Sequence, residues 1–551
     1  MVAASNGASE CAPHRSACVR GAVCRGATAA LRRPALVRHD RSAATRGGEG
    51  QAVAQASGVD NGSPVASRTA RLPALTKGVY GLGQAAEGLK NTAFGLFLLF
   101  YYNQVLGLPG TLAGLALGVS LVFDAFFDPL VGSISDNFRS KLGRRHPFMY
   151  AAILPMAIGF YLLFSPPVHE EWALFAWLFL FATLTRGGMA LFHVPHIALG
   201  AELSDDFEER TAIVGVRQFL ATFGGLLAIG IGFGVFFKST AEHAQGQFNV
   251  AAYSPYALTL GILMAVAMFV CSWGTRAQIP RLRQPAHTAS GNAWSVIVRM
   301  WRETLGALKN ASFRWLFIGV LVVFLMVGAD AALSLYMNTF FWELRSTGLF
   351  FFQAAAPIGV MVGALFTRRL NRRFDKLPAV VWGTSFWAFC QLLPVVLRFA
   401  DAFPANGTRE LLWTLVAIKF LQGAGVAQAL VSFNSMVADI ADENELETGK
   451  RQEGIFFAAV SFANKSTIGL GNILAGSALD VIHWPRGAHI QSAADIPAHT
   501  INLLGILSGP IVAAFCVICV WCYSHYHLTR ERHEQIQAAL DARRQRADAV
   551  A

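Results

Sequence analysis

The chain has 551 residues, 54% hydrophobic and only 14% charged, with a formal net charge of +11 at pH 7. Soluble domains carry about a quarter charged residues, so this composition excludes an ordinary globular protein and points to a polytopic α-helical membrane protein. The basic excess lies in short loops and in the two tails, which a membrane explains better than a nucleic acid, so no nucleic-acid partner is expected.

Residues 1–75 are rich in Ala, Arg, Ser and Gly and poor in acids. Such a composition buries no core, which predicts a disordered tail. An organelle transit peptide and a translated region upstream of the true start are two further readings. From Lys77 onward, apolar segments of about 20 residues recur, each long enough to cross a bilayer core. About twelve spans are predicted, beginning near Lys77, Leu112, Pro147, Trp172, Thr211, Ser254, Arg314, Gly348, Leu377, Glu410, Glu453 and Ile501. They give a six-helix half at 76–276, a central loop at 277–313, a second six-helix half at 314–524 and a tail at 525–551.

Lys and Arg set the orientation. The loop after the second span holds Arg139, Lys141, Arg144 and Arg145; the one after the eighth holds Arg368, Arg369, Arg372, Arg373 and Lys376. The central loop and the C-terminal tail are also basic, whereas VHEEW after the third span is not. Both termini are therefore expected in the cytoplasm, in a bacterial inner membrane, or in an organelle membrane if the tail is a transit peptide. GSISDNFRSKLGRR from Gly132 and GALFTRRLNRRFDK from Gly363 each end an even-numbered span with a tight basic turn. They read as an internal repeat of two parallel halves. Gly114 and Gly118 form a GxxxG in the second span, a packing device rather than a sign of dimerisation, and a monomer is expected. Cys516, Cys519 and Cys522 sit in an apolar span and read as small buried hydrophobes, not metal ligands.

The stretch FDAFFDPLVG, Phe123 to Gly132, places Asp124 and Asp128 inside an apolar span. A carboxylate at mid-membrane costs about 2.5–3.5 kcal/mol on insertion scales and by default marks an ion or solute pathway. Spacing i, i+4 stacks the two on one helical face. So close in low dielectric, one takes a proton or both share a cation.

FDAFFDPLVGSISDNFRSKLGRRHPF, ALGAELSDDFEERT and ADIADENELETGKRQEGIFF together resemble the glycoside–pentoside–hexuronide cation symporters of the major facilitator superfamily. Gly132, Asp136, Arg139, Gly143, Arg144 and Arg145 look like that superfamily's loop signature, and the similarity covers nearly everything from Lys77 to the end of the last span. The resemblance implies the major facilitator fold, two six-helix halves, with Asp124 and Asp128 holding the coupling cation. It places Lys465, in SFANKSTIG, near the paired acids, and Arg217, in VGVRQF, on the sugar cavity. One lysine against two aspartates leaves one negative charge for a single Na⁺ or H⁺ to neutralise.

The chain departs from the melibiose carriers at four places. Gly88, beside Glu87 and near Lys90, stands where they have a sugar-binding aspartate, and His193 stands where they have another. Ala190 replaces a hydroxyl cation ligand and Phe127 an asparagine. Losing two neutral oxygens weakens a sodium cage more than a proton site, so H⁺ is favoured over Na⁺ and no other metal or cofactor is expected. His193 and His196 read as hydrogen-bonding or titrating residues of the cavity rather than a metal pair. Asp330, with Tyr336 and Trp342, is expected on the C-terminal side of the cavity. Asp206, Glu209, Arg210, Asp442, Glu445, Lys450 and Arg451 are candidate partners in a cytoplasmic gate.

The expected function is cation-coupled import of a glycoside or related sugar by alternating access. A carrier of an amphipathic lipid such as a lysophospholipid, and a non-transporting sensor, are the alternatives. No HExxH or GxSxG occurs, so an enzyme is not expected and no catalytic residue is assigned.

Overall fold

The computed structural model describes residues 72–281 and 293–550, apart from residues 205, 241, 242, 244, 374, 450, 451 and 488. Residues 1–71 of the expected tail, 282–292 of the central loop, and Lys450 and Arg451 of the expected gate thus lie outside the described residues.

A helix rises about 1.5 Å per residue, so a bilayer core of about 30 Å needs about 20 residues. Among the described residues, twelve helical segments of 18 residues or more precede the C-terminal helix. The first is α1 (Ala74–Ala93), prolonged through π turns at Phe94–Leu98 and Tyr101–Val105. Then come α2 (Gly110–Asn137), α3 (His146–Leu163), α4 (Glu171–Glu202), α5 (Phe207–Ile231) and α6 (Val250–Thr275). A short helix, α7 (Ala293–Ala307), packs on α2 and α12 between the halves. The second half holds α8 (Ala311–Tyr336), α9 (Ser346–Arg373), α10 (Lys376–Phe399), α11 (Arg409–Thr448), α12 (Glu453–Val481) and a last span. That span is α13 (Ala498–Ile506), a π turn and α14 (Val512–Ser524). Ten of the segments are apolar enough to cross a membrane on their own, and the first and eleventh, which carry Glu87 with Lys90 and Lys465, complete the set. After them, α15 (Arg530–Val550) lies along α11, with Ile536 and Leu540 buried.

The two halves repeat one pairing scheme. In the first, α1 packs on α5 and α6, α4 on α2 and α3, and α3 on α6; in the second, α8 packs on α12 and α14, α11 on α9 and α10, and α10 on α14. Across the halves, α2 meets α12 and α5 meets α9, which are equivalent contacts under the same two-fold relation. This is the major facilitator architecture that the sequence predicted.

Glycine makes the α2–α12 approach close. Cβ atoms built at Gly110, Gly114 and Gly118 would lie 2.4, 2.6 and 2.5 Å from the carbonyl oxygens of Gly476, Asn472 and Gly469. No real side chain fits there. Past the ladder, the Asp480 carboxylate of α12 accepts the Gly110 and Thr111 N–H groups (3.0 and 2.7 Å), so one half caps a helix of the other. At this end, remote from the basic loops, the halves are sealed. The Tyr336 hydroxyl donates to Asn103 (2.7 Å), Trp484 Nε1–H to Gln104 (2.7 Å) and Gln247 to Thr339 (3.1 Å). Phe100 packs against Phe248, Tyr336 and Phe340 in the same plug.

The ladder predicts that Gly114→Val destabilises the assembly by about 1–3 kcal/mol, read as a lower unfolding temperature in detergent. Gly78→Ala on α1, where a Cβ meets nothing within 4 Å, leaves that temperature unchanged or slightly raised. Equal responses of the two variants would remove the packing role assigned to the ladder.

Candidate cation and solute site

Helix α2 runs through Pro129, which lacks the N–H that would reach the Ala125 carbonyl; membrane helices tolerate such a gap where neighbours or side chains compensate. One turn before it, Asp124 is 4% exposed. Lys465 comes across the seam from α12, and its Nζ lies 2.9 Å from Asp124 Oδ2 and 2.7 Å from Asp128 Oδ2. The ammonium therefore sits where a shared cation would. Asp128 Oδ1 is buried and accepts no hydrogen bond.

Arg186, in TLTRGGMALF on α4, was not singled out from the sequence. It is buried, its Nε donates to Ser120 (3.2 Å), its guanidinium lies over the Phe94 ring, and its charge acts on Asp124 and Glu87. Glu87 in turn meets Lys90 (3.3 Å), the Asn91 amide (2.9 Å) and His193 Nδ1 (3.4 Å). The cluster so formed has three carboxylates, Glu87, Asp124 and Asp128, and three fixed cations, Lys90, Arg186 and Lys465. Counted by formal charge, these six side chains balance without any added ion. The expectation of one uncompensated negative charge, drawn from Lys465 alone, is corrected by these neighbours.

The departures have physical reasons in the packing. A Cβ at Gly88 would lie 1.9 Å from the Ala221 carbonyl oxygen, so the contact of α1 with α5 leaves no room for an aspartate. The Phe127 ring lies over Gly187 and Ala190 is buried, so neither offers an oxygen. His193 and His196 part company: His193 faces Glu87, while His196 is fully buried, holds the Tyr80 carbonyl (2.8 Å) and stacks on the Tyr80 ring. Arg217, expected on the sugar cavity, lies beside the Tyr80 hydroxyl and is not among the residues that line the central cavity.

A central cavity of about 360 Å³ lies between the halves, lined by Asn91 and Thr92 of α1 and by Asp330, Gln353, Lys419 and Gln422 of the second half. Asp330 accepts from Gln391 (2.5 Å) and faces Lys419 (3.7 Å). Trp342 lines a small recess beside Asp330, whereas Tyr336 is buried in the seal. Lys419 and the glutamines escaped the sequence reading, although a lone lysine in VAIKFLQGAG gives the same signal as Asp124.

At the basic end each half is clamped on itself. Arg145 pairs with Asp136 (2.5 Å) and Glu202 (3.0 Å), and Arg144 with Glu202 (2.7 Å), tying the α2–α3 loop to α4. Gly143 turns that loop at φ +74°, which a side chain rarely adopts. Gly132 has ordinary contacts and Arg139 is exposed. In the second half Lys376 pairs with Asp439 (2.6 Å), tying α10 to α11 at the matching place. Among the expected gate residues, Asp206 caps α5, Arg210 holds the Ser204 carbonyl, Glu209 pairs with Lys77, Asp442 binds His533 and Gln537, and Glu445 meets Arg544. None of these contacts joins the two halves; those of Asp442 and Glu445 run to α15 of the C-terminal tail.

Two helical halves around a polar cavity define a membrane transporter of the major facilitator type. The chain belongs to the MFS/sugar transport protein family, whose model matches residues 79–530. Among its relatives are the putative glycoside/cation symporter YagG of Escherichia coli, 24% identical over 84% of this chain and 93% of that one. The glucuronide carrier protein homolog of E. coli is 25% identical over 84% of this chain and 95% of that one. In fold, the chain is similar to the nucleoside transporter NupG, with a TM-score of 0.55 and 13% identity over 83% of this chain and all of that one.

If Lys465 is the counter-charge of Asp128, the two are energetically coupled. A double-mutant cycle of Lys465→Ala and Asp128→Ala, followed by unfolding in detergent, should give a coupling of about 0.5–3 kcal/mol. Additive losses would show that the contact contributes nothing to stability.

Proposed function

We propose that the protein is a proton-coupled symporter for a glycoside or related sugar, working by alternating access between its halves. The observation that carries this reading is Lys465 of one half held between Asp124 and Asp128 of the other. A proton arriving on either aspartate removes one of the two charges that hold the ammonium. The seam between α2 and α12 then loosens on loading, so loaded and empty carriers differ in the contact that joins their halves. A sodium ion needs several oxygens. Phe127 and Ala190 supply none, and the ammonium occupies the space between the carboxylates, so the donor set favours the proton, which needs one carboxylate.

With the basic loops in the cytoplasm, the Tyr336–Asn103 seal faces outward and the central cavity faces inward. Both termini are then cytoplasmic, in a bacterial inner membrane. The partners are a small solute and the lipid bilayer, the carrier acts as a monomer, and it is a carrier rather than an enzyme. The names of YagG and of the glucuronide carrier homolog support a glycoside as the solute.

Proteoliposomes with labelled glycosides under imposed H⁺ or Na⁺ gradients test this. The proton gradient should drive accumulation, and Asp124→Asn should lower it about tenfold or more. Accumulation by Asp124→Asn at the wild-type level would refute the coupling site. Accumulation driven by sodium alone would refute the proton.

A further inference from the structure

Two chambers adjoin, one between the halves and one within the second half. The central cavity is polar along Asn91, Asp330, Gln353, Lys419 and Gln422. Beside it, a chamber of about 290 Å³ lies among α8, α10, α11 and α12, with Val320, Phe324, Val380, Phe433 and Ile468 in its walls. Val327, Trp387 and Val426 line both spaces, so the apolar chamber adjoins the polar one. Asn464, next to the cation-site Lys465, is among its few polar groups.

Protein interiors are close-packed, and an empty space of this size in a core costs stability. An apolar cavity of only about 150 Å³ stays dry and takes up benzene. The side chamber is nearly twice that size; Val320, Phe324, Val380 and Phe433 in its walls are buried, while Val327 and Leu430 are partly exposed. Val327, Trp387 and Val426 are shared with the central cavity, in which Asp330, Gln353 and Lys419 stand.

We infer that the solute is an amphiphilic glycoside, its sugar in the central cavity and an apolar aglycone, an aromatic ring or short alkyl chain, in the side chamber. The inference rests on the proposed transport function and adds the class of aglycone. Sugar hydroxyls and ring oxygen find donors and acceptors in Asn91, Asp330, Gln353 and Lys419, while Phe324, Phe433 and Val320 remove the aglycone from water. Trp387 stands where the two parts of the molecule join.

The test is uptake into proteoliposomes of matched methyl and nitrophenyl glycosides, with α-galactoside, β-galactoside, β-xyloside and β-glucuronide pairs under proton and sodium gradients. In the wild type the nitrophenyl member of the transported pair should have a half-saturation concentration lower by about tenfold or more, as burial of an aromatic ring requires. Leu430 lines the chamber and is 43% exposed, so it can be changed with little strain on the core. Leu430→Trp, which fills the chamber, and Leu430→Asn, which makes it polar, should each bring the ratio toward one. A wild-type ratio near one, with the methyl glycoside accumulated, overturns the inference and leaves the symporter standing. A ratio that survives both variants does the same. Accumulation of no member of any pair under either gradient overturns the symporter reading and the inference with it.

Discussion

An ammonium from one half, held between two carboxylates of the other, requires two helices to approach closely inside a membrane. Each of these charges alone is costly there, and together they are tolerable only at contact distance. The α2–α12 seam is built to give that distance. Lys465, Gly469, Asn472, Gly476 and Asp480 recur along α12 at spacings that keep them on one face, and Gly110, Gly114, Gly118 and Asp124 do so along α2. The same stripe is a charged clasp at Lys465, a glycine ladder in its middle and a helix cap at Asp480. A bulky residue in the ladder would separate the clasp from its carboxylates and the cap from α2 together.

Charge balance determines what the clasp can do. Arg186 and Lys90 bring the cluster to three carboxylates and three cations, so an arriving ion fills no electrostatic deficit. In the proposed cycle it competes with a lysine instead, and the outcome is a weaker seam rather than a neutralised site. The clamps at the basic end are built differently. Arg145 with Glu202, and Lys376 with Asp439, each hold a loop to a helix of their own half, so they brace each half rather than join the two.

Much of this was legible in the sequence because membranes impose strong rules. Span length, the basic loops and acids within apolar runs are one-dimensional signals, and they located the halves and the pair Asp124 and Asp128. Lys419 and Arg186 carry the same signal, a lone charge within an apolar span. What could not be read was anything set by helix approach. Nothing local tells that Gly88 faces the Ala221 carbonyl, that Tyr336 turns into the seal instead of the cavity, or that His196 stacks on Tyr80. The apolar side chamber is the extreme case, because its walls come from helices separated by up to about two hundred residues and each is an ordinary apolar residue on its own helix.

The central proposal is that a proton displaces Lys465 from its aspartates. The most direct measurement is infrared difference spectroscopy of the purified carrier as the pH is lowered without solute, following the carbonyl stretch of a protonated carboxylic acid. The account predicts that such a band grows in the wild type and is lost in Asp128→Asn or Asp124→Asn. Proton-driven uptake with no band assignable to either aspartate would contradict it.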